Sequence, residues 1–138
     1  MNDPLVRVEG LIKHFDSRGR LLSIGPRQVI HAVDGVSFTI HEGETFGLVG
    51  ESGCGKSTTA RLLLRLIEPT AGQVYFEGTE VTALQPAQVR NLRQSMQIVF
   101  QDPYSSLNPR LRIREIVGEP LKAFGIARGA ELDQRVQR

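Results

Sequence analysis

The chain has 138 residues, of which 40% are apolar and 23% are charged, a composition typical of one soluble folded domain. Its net charge of +2 is too small to indicate nucleic acid or an anionic membrane surface as a partner. There is no run of about 18 apolar residues and no apolar signal-peptide segment, which predicts a soluble, cytoplasmic chain.

The first third of the chain has the short alternating patterns of β-strands. Leu5 to Ile12 (LVRVEGLI) is predicted as a first strand, and residues 16–28, rich in glycine and arginine, as a loop or hairpin tip. Residues 29–40 contain the two strand-like pieces VIHAV and VSFTI, and Asp34-Gly35 between them is a hairpin-type turn signal. Thr45 to Val49 (TFGLV) is predicted as a short buried strand.

From residue 57 onward helical and strand patterns alternate. Helices are predicted for residues 57–67, 86–95, 113–124 (interrupted by Gly118 and Pro120) and 129–138; strands are predicted for residues 73–77 and 96–100. Early antiparallel signals followed by strand–loop–helix units predict a mixed α/β fold. The last helix has no stop signal, so we expect the fold to continue beyond Arg138.

The most informative motif is GESGCGKST at residues 50–58, which matches the phosphate-loop pattern G-x-x-x-x-G-K-[ST]. Glycines let such a loop curl around phosphates, and the following helix contributes the positive end of its dipole. Lys56 is predicted to reach the β- and γ-phosphates in a catalytic role, and the Ser57 hydroxyl to ligate Mg²⁺. The predicted ATP-binding residues of the loop are Gly50, Glu51, Ser52, Gly53, Cys54, Gly55, Lys56, Ser57 and Thr58.

Cys54, the single cysteine, cannot form an internal disulfide, which agrees with a reducing compartment. Its place inside the phosphate loop leads to the hypothesis that its thiol is sensitive to alkylation and protected by bound ATP. The alternative is a small residue that fills a tight turn.

A second motif, IVFQDPYSSLNP, occupies residues 98–109. A glutamine at the end of a buried strand, here Gln101, can sense Mg²⁺ and water near a γ-phosphate, because its amide both donates and accepts hydrogen bonds. The alternative for Gln101 is an ordinary strand-capping residue.

On these two motifs the chain resembles the N-terminal part of an ABC transporter ATP-binding subunit, and it is most similar to the dipeptide/oligopeptide importer branch. The resemblance runs from Leu5 to Leu121 and includes HAVDGVSF and EPTAGQVYFEG. It implies that Gln101 is the Q-loop glutamine, a catalytic and Mg²⁺-side residue, and that the loop Asp102 to Asn108 faces a membrane permease. It also implies that Phe15 stacks on adenine, for which the alternative is a buried strand phenylalanine.

The resemblance implies the α/β fold of a P-loop NTPase core with an antiparallel β-subdomain, truncated in the helical subdomain. Residues 1–138 would be one domain: strands in 5–49, the core with both motifs in 50–109, and the start of the helical subdomain in 110–138. The implied cofactors are ATP and Mg²⁺. The implied partners are permease subunits, a second ATP-binding subunit and, indirectly, a solute-binding protein, at the cytoplasmic face of the membrane.

Three features of a complete ATP-binding subunit do not occur in these residues: an LSGGQ-like signature, an apolar strand ending in Asp-Glu, and a switch histidine after the phosphate loop. We therefore expect a partial subunit that binds nucleotide weakly and hydrolyses it negligibly by itself. The alternatives are an importer ATPase for a metal chelate or glutathione, a non-catalytic remnant of a truncated gene, and a non-transport ABC ATPase.

Overall fold

The computed structural model describes residues 3–16, 28–102 and 106–137. They form two compact units, Met1–Val89 and Arg90–Arg138. Of the loop predicted at residues 16–28, residues 17–27 lie outside the described residues, and Asp16 is the last residue of the first strand, not part of a loop. The division into strands at 5–49, a core at 50–109 and the start of a helical subdomain at 110–138 remains a prediction. No helix within the described ranges is long and apolar enough to cross a membrane.

The first unit is built on a four-stranded antiparallel sheet with the strand order β2-β1-β3-β4. Its strands are β1 (Val6–Asp16), β2 (Val29–Ile40), β3 (Ala71–Phe76) and β4 (Thr79–Glu80). Alternate side chains of the central strand β1 and its neighbours are buried and form the core: Val6, Val8, Leu11, Val33, Val74 and Phe76. The predicted antiparallel β-subdomain is therefore present.

The hairpin predicted at Asp34-Gly35 is wrong, because β2 continues through both residues from Val29 to Ile40. Pairing with the long strand β1 along most of its length, from Val6 opposite Ile40 to Asp16 opposite Val29, holds β2 extended. Gly35 has φ +69, so the turn signal marks an irregularity within the strand. The true tight hairpin lies at Glu77 and Gly78, whose φ values of +48 and +75 suit a two-residue turn between β3 and β4.

Helix α1 (Lys56–Leu63) follows the phosphate loop and ends four residues earlier than the sequence predicts. The helix ends in a Schellman motif, in which Arg65 N donates to Leu62 O at 2.9 Å and Leu66 N donates to Arg61 O at 2.8 Å. This pairing requires a left-handed residue after the helix, and Arg65 takes that place with φ +48. An arginine there gives no sequence signal of a helix end, since glycine is the usual residue.

The Arg65 side chain fixes this end of α1 to the segment after β4. Its guanidinium donates to the carbonyl oxygens of Val81, at 3.1 Å, and of Leu84, and it pairs with Glu68 at 3.0 Å. Val81 begins a 3₁₀ helix (Val81–Ala83) and is fully buried. Helix α2 (Pro86–Leu92) follows and stops short of the predicted residue 95.

Two predicted buried strands do not form. Residues 45–49 and 96–100 have no strand partner among the described residues, and Val49 and Val99 are 89% and 86% exposed. Their mostly apolar residues are typical of a strand that is buried on both faces. A strand also needs a neighbouring strand whose backbone accepts and donates its hydrogen bonds, and these segments have none among the described residues. Phe46 is held by stacking on Phe38 of β2, with ring centroids 4.8 Å apart.

The second unit contains α3 (Ile113–Ala123) and α4 (Gly129–Val136). The predicted interruption of α3 is wrong, since the helix runs through Gly118 and Pro120. Gly118 is buried, and a Cβ atom there would lie 3.5 Å from Leu132 and Val136 of α4. That distance is an ordinary van der Waals contact, so α4 packs directly against α3 at Gly118, and this packing offsets the cost of an internal proline.

Candidate functional site

The phosphate loop connects residues 45–49 to α1 and depends on three glycines with positive φ. Gly50, Gly53 and Gly55 have φ values of +155, +86 and +99, a region that other residues rarely adopt. A Cβ atom at Gly50 would lie only 2.6 Å from the sulfur of Cys54. The loop therefore closes on itself, with the Cys54 thiol packed over Gly50.

Gly55 also fixes the loop against the sheet. A Cβ atom at this position would come within 2.2 Å of the carbonyl oxygen of Ala32 in β2. On the other side of Gly55, its carbonyl oxygen accepts bonds from the N–H of Thr59 at 2.8 Å and from the Thr59 hydroxyl at 3.1 Å. Because Thr59 is buried, this anchor attaches the first turn of α1 to the core.

Lys56 folds its side chain back over the loop. Its ammonium group donates to the carbonyl oxygens of Gly50 and Glu51, both at 2.7 Å, and lies 3.5 Å from the sulfur of Cys54. These contacts hold a positive charge at the mouth of the loop. An ammonium group with three donors can exchange such carbonyls for phosphate oxygens, which carry more negative charge.

The N-terminus of α1 presents backbone donors beside Lys56. The N–H groups of Lys56, Ser57 and Thr58 belong to the first turn and have no acceptor within the helix. That turn contains no acidic residue, so the positive end of the helix dipole is not neutralised there. Backbone N–H groups, an ammonium and a serine hydroxyl are the donor set that fits a Mg²⁺-bound polyphosphate, with Ser57 as the residue that would hold the ion.

A pocket of about 270 Å³ opens beside the loop, close to the lower end of the usual range for ligand sites. It is lined by residues of β2, of the segment before the loop, and of the loop and α1: His31, Ala32, Val33, Asp34, Val36, Leu48, Val49, Cys54, Gly55, Lys56 and Thr59. The structure thus places Cys54, Gly55 and Lys56 beside β2 residues that belong to neither sequence motif. No spacing rule marks those β2 residues, because only the sheet register and the close contact at Gly55 place them here.

Phe15 lies near the end of β1 and is 40% exposed. It is therefore not the buried core residue of the alternative interpretation. The ammonium of Lys13 lies 5.0 Å from its ring centroid. An exposed aromatic face of this kind is available for stacking on a base, and that role stays a prediction.

Gln101 belongs to the second unit, where it is exposed and follows residues 96–100, which form neither strand nor helix. Its predicted role as a sensor of Mg²⁺ and water therefore remains a prediction. Residues 103–105 of the predicted permease-facing loop lie outside the described residues. Near the other end of that loop, the Asn108 side chain accepts a bond from Arg110 N at 3.0 Å and so shapes the turn that leads to α3.

Known proteins similar to this chain show which family has this phosphate loop and fold. The model of the family described as ABC transporter matches residues 33–138. A probable peptide ABC transporter ATP-binding protein of Sinorhizobium fredii is 52% identical over 90% of the chain, which covers 35% of that protein. The glutathione import ATP-binding protein GsiA of Escherichia coli is 46% identical over 97% of the chain and 21% of its own length.

Among solved structures, the chain is similar to the ATP-binding cassette MJ0796 in a dimeric post-hydrolysis state bound to ADP and Pi. The TM-score is 0.72 and the sequence identity 30%, with 96% of this chain and 54% of that chain covered. The chain therefore spans about a third of the length of the peptide-transporter relative, a fifth of the glutathione relative and half of the solved cassette.

Proposed function

The chain belongs to the ABC transporter family, and from that membership we propose that it forms the nucleotide-binding part of the ATPase subunit of a peptide importer. The observation that carries the proposal is the phosphate loop, with Lys56 held at its mouth and, beside it, the first N–H groups of α1, which have no acceptor within the helix. ATP, with Mg²⁺, is the proposed ligand.

In this proposal each residue of the nucleotide site has one role, in the phosphate loop and outside it. The N–H groups at the start of α1 bind phosphate oxygens, Lys56 contributes a mobile positive charge, and Ser57 holds Mg²⁺. When it is bound, Mg²⁺ would neutralise negative charge on the phosphate oxygens. Phe15 binds the base by stacking, and Gln101 orients water near the terminal phosphate.

Hydrolysis would belong to the full-length protein. The 138 residues contain no LSGGQ-like run and no apolar strand ending in Asp-Glu. Phosphoryl transfer depends on positioned water and on charge stabilisation, which such groups supply. We therefore expect these residues alone to bind nucleotide weakly and to turn it over negligibly.

The proposed partners are a second ATP-binding subunit and permease subunits reached through the loop at residues 102–108, with a solute-binding protein acting indirectly. The proposed site of action is the cytoplasmic face of the membrane. The dimeric state of the similar solved cassette supports a second ATP-binding subunit as a partner. Peptide is the first candidate solute, because the Sinorhizobium fredii relative is named as a probable peptide transporter protein. Glutathione is the second, because of the similarity to GsiA.

The test uses the full-length protein with its permease in sealed vesicles. Lys56→Ala should reduce both ATP hydrolysis and uptake of a labelled oligopeptide by at least about tenfold, because it removes the charge that faces the phosphates. Lys122→Ala, in the last turn of α3, is the matched control and should leave both unchanged. Uptake of glutathione and not of peptides would support the second candidate. Normal ATP binding and uptake in Lys56→Ala would overturn the proposal.

A further inference from the structure

A group of polar side chains lies on the β1–β2 pair, and two of its members, His31 and Asp34, also line the pocket beside the phosphate loop. His14 of β1 and His31 of β2 are register partners, and their ring centroids are 3.9 Å apart. Asp34 lies three residues beyond His31, which in a regular strand would place it on the opposite face. The β1–β2 ladder is irregular here, with a register shift between Lys13 and His14, and the three side chains converge.

The ligand atoms of the three residues lie close enough together for small side-chain movements to bring them around one ion. His14 Nε2 lies 3.6 Å from one oxygen of Asp34, and His31 Nδ1 lies 3.7 Å from the other. One ligand atom from each of the three residues lies within 4.8 Å of the others. Both His–Asp distances exceed those of a hydrogen bond. They are close to the roughly 3.3 Å between ligand atoms that follows from tetrahedral zinc with bonds of about 2.0–2.1 Å.

The burial of one nitrogen supports the same conclusion. His14 Nε2 is shielded from solvent and has no hydrogen-bond partner within the described ranges. A buried polar atom without a partner is costly, and a metal ion is an acceptor for the lone pair that a neutral imidazole carries there. His31 and Asp34 are exposed, so an ion can reach the group from solvent.

We propose that His14, His31 and Asp34 bind a divalent transition-metal ion, with Zn²⁺ as the first candidate. Two imidazoles and one carboxylate suit Zn²⁺ and its neighbours in the first transition row, whereas Mg²⁺ and Ca²⁺ prefer oxygen ligands alone. Three protein ligands leave a coordination position for water or an anion. Its ligands do not include Ser57, the residue proposed for Mg²⁺, although His31 and Asp34 line the pocket beside the phosphate loop. The proposal does not depend on the proposed transport function.

The experiment measures metal content and affinity in the full-length protein without nucleotide. Metal-free protein is titrated with Zn²⁺ by calorimetry and with Co²⁺ by visible absorption, whose band intensity reports tetrahedral coordination. His31→Ala and Asp34→Asn change exposed residues, so far-UV circular dichroism should show that both variants fold. We expect each to lower the affinity by at least about tenfold and to remove one bound ion per chain.

His41, the remaining histidine of the chain, provides the matched control. It is exposed, and Glu44 binds its backbone N–H, so His41→Ala should bind metal like the original protein. Cys54→Ser should do the same, which would exclude the thiol as the ligand. The proposal would be overturned if His31→Ala and Asp34→Asn bind as many ions as the original protein, or if the original protein binds no stoichiometric Zn²⁺ or Co²⁺ at neutral pH.

Discussion

Gly55 lies directly against Ala32, where a Cβ atom would meet the Ala32 carbonyl oxygen at 2.2 Å. This contact joins the end of the phosphate loop to β2. The backbone of Gly55 is also left-handed, with φ +99. Two separate constraints, backbone conformation and space, therefore require glycine at the residue before α1.

Replacement of Gly55 by alanine should push the loop away from β2 and reduce ATP affinity by at least about tenfold, since a left-handed alanine alone costs about 1–2 kcal/mol. Binding of a fluorescent ATP analogue measures the effect. Gly47→Ala is the matched control, because a Cβ atom there meets nothing within 4 Å. Equal affinities of the two variants would show that the contact with Ala32 does not shape the site.

Substitution of Phe15 by alanine should weaken ATP binding about fivefold to a hundredfold, the range for one base stacked on an aromatic ring. The affinity for inorganic tripolyphosphate, which has no base, should not change. Calorimetric titration with both ligands separates the two effects. A parallel loss of tripolyphosphate binding would contradict stacking and indicate a structural role for Phe15.

In the full-length protein, Gln101→Ala should lower ATP hydrolysis by at least about tenfold while ATP affinity stays within a few-fold, because the proposed role is to orient water. Turnover and equilibrium binding are measured on the same preparation. Gln94→Ala, an exposed glutamine upstream, is the control. Unchanged turnover in Gln101→Ala would favour the strand-capping alternative.

Cys54 is exposed, lines the pocket and lies 3.5 Å from the ammonium of Lys56. Alkylation by iodoacetamide should therefore slow in proportion to the fraction of sites that Mg-ATP occupies. Mass spectrometry of the peptide that contains Cys54 follows the rate. Labelling at one rate with and without Mg-ATP would rule out the hypothesis of protection, and Cys54 would then be only a small residue in a tight turn.

Removal of the Arg65 side chain should destabilise the first unit. Arg65→Ala loses the charged donor to the Val81 and Leu84 carbonyls, which contributes about 1.5–3 kcal/mol to the free energy of unfolding. Arg65→Gly should lose less, because glycine suits the φ of +48. Thermal or urea unfolding measures both, with exposed Arg61→Ala of the same helix as control. A larger loss in Arg65→Gly than in Arg65→Ala would contradict the role of the backbone.

Local patterns predicted those elements whose interactions are local in sequence. The alternation in β1, the helical period of α1 and the phosphate loop are each set by residues a few positions apart. The ends of elements were less predictable. Arg65 gives no glycine signal for the end of α1, and Gly118 and Pro120 are tolerated because α4 packs against α3. Asp34-Gly35 resembles a turn, yet pairing with β1 keeps β2 extended.

The sequence by itself predicted the class of ligand, because a phosphate loop needs only contiguous residues, from Gly50 to Thr58, to present backbone donors and a lysine. Tertiary structure alone decided what lies beside that loop. The register of β1 against β2 brings His14 to His31, and the contact of Gly55 with Ala32 brings β2 to the pocket. Strand pairing joins residues far apart in the chain, and no spacing within the sequence encodes that choice of partner.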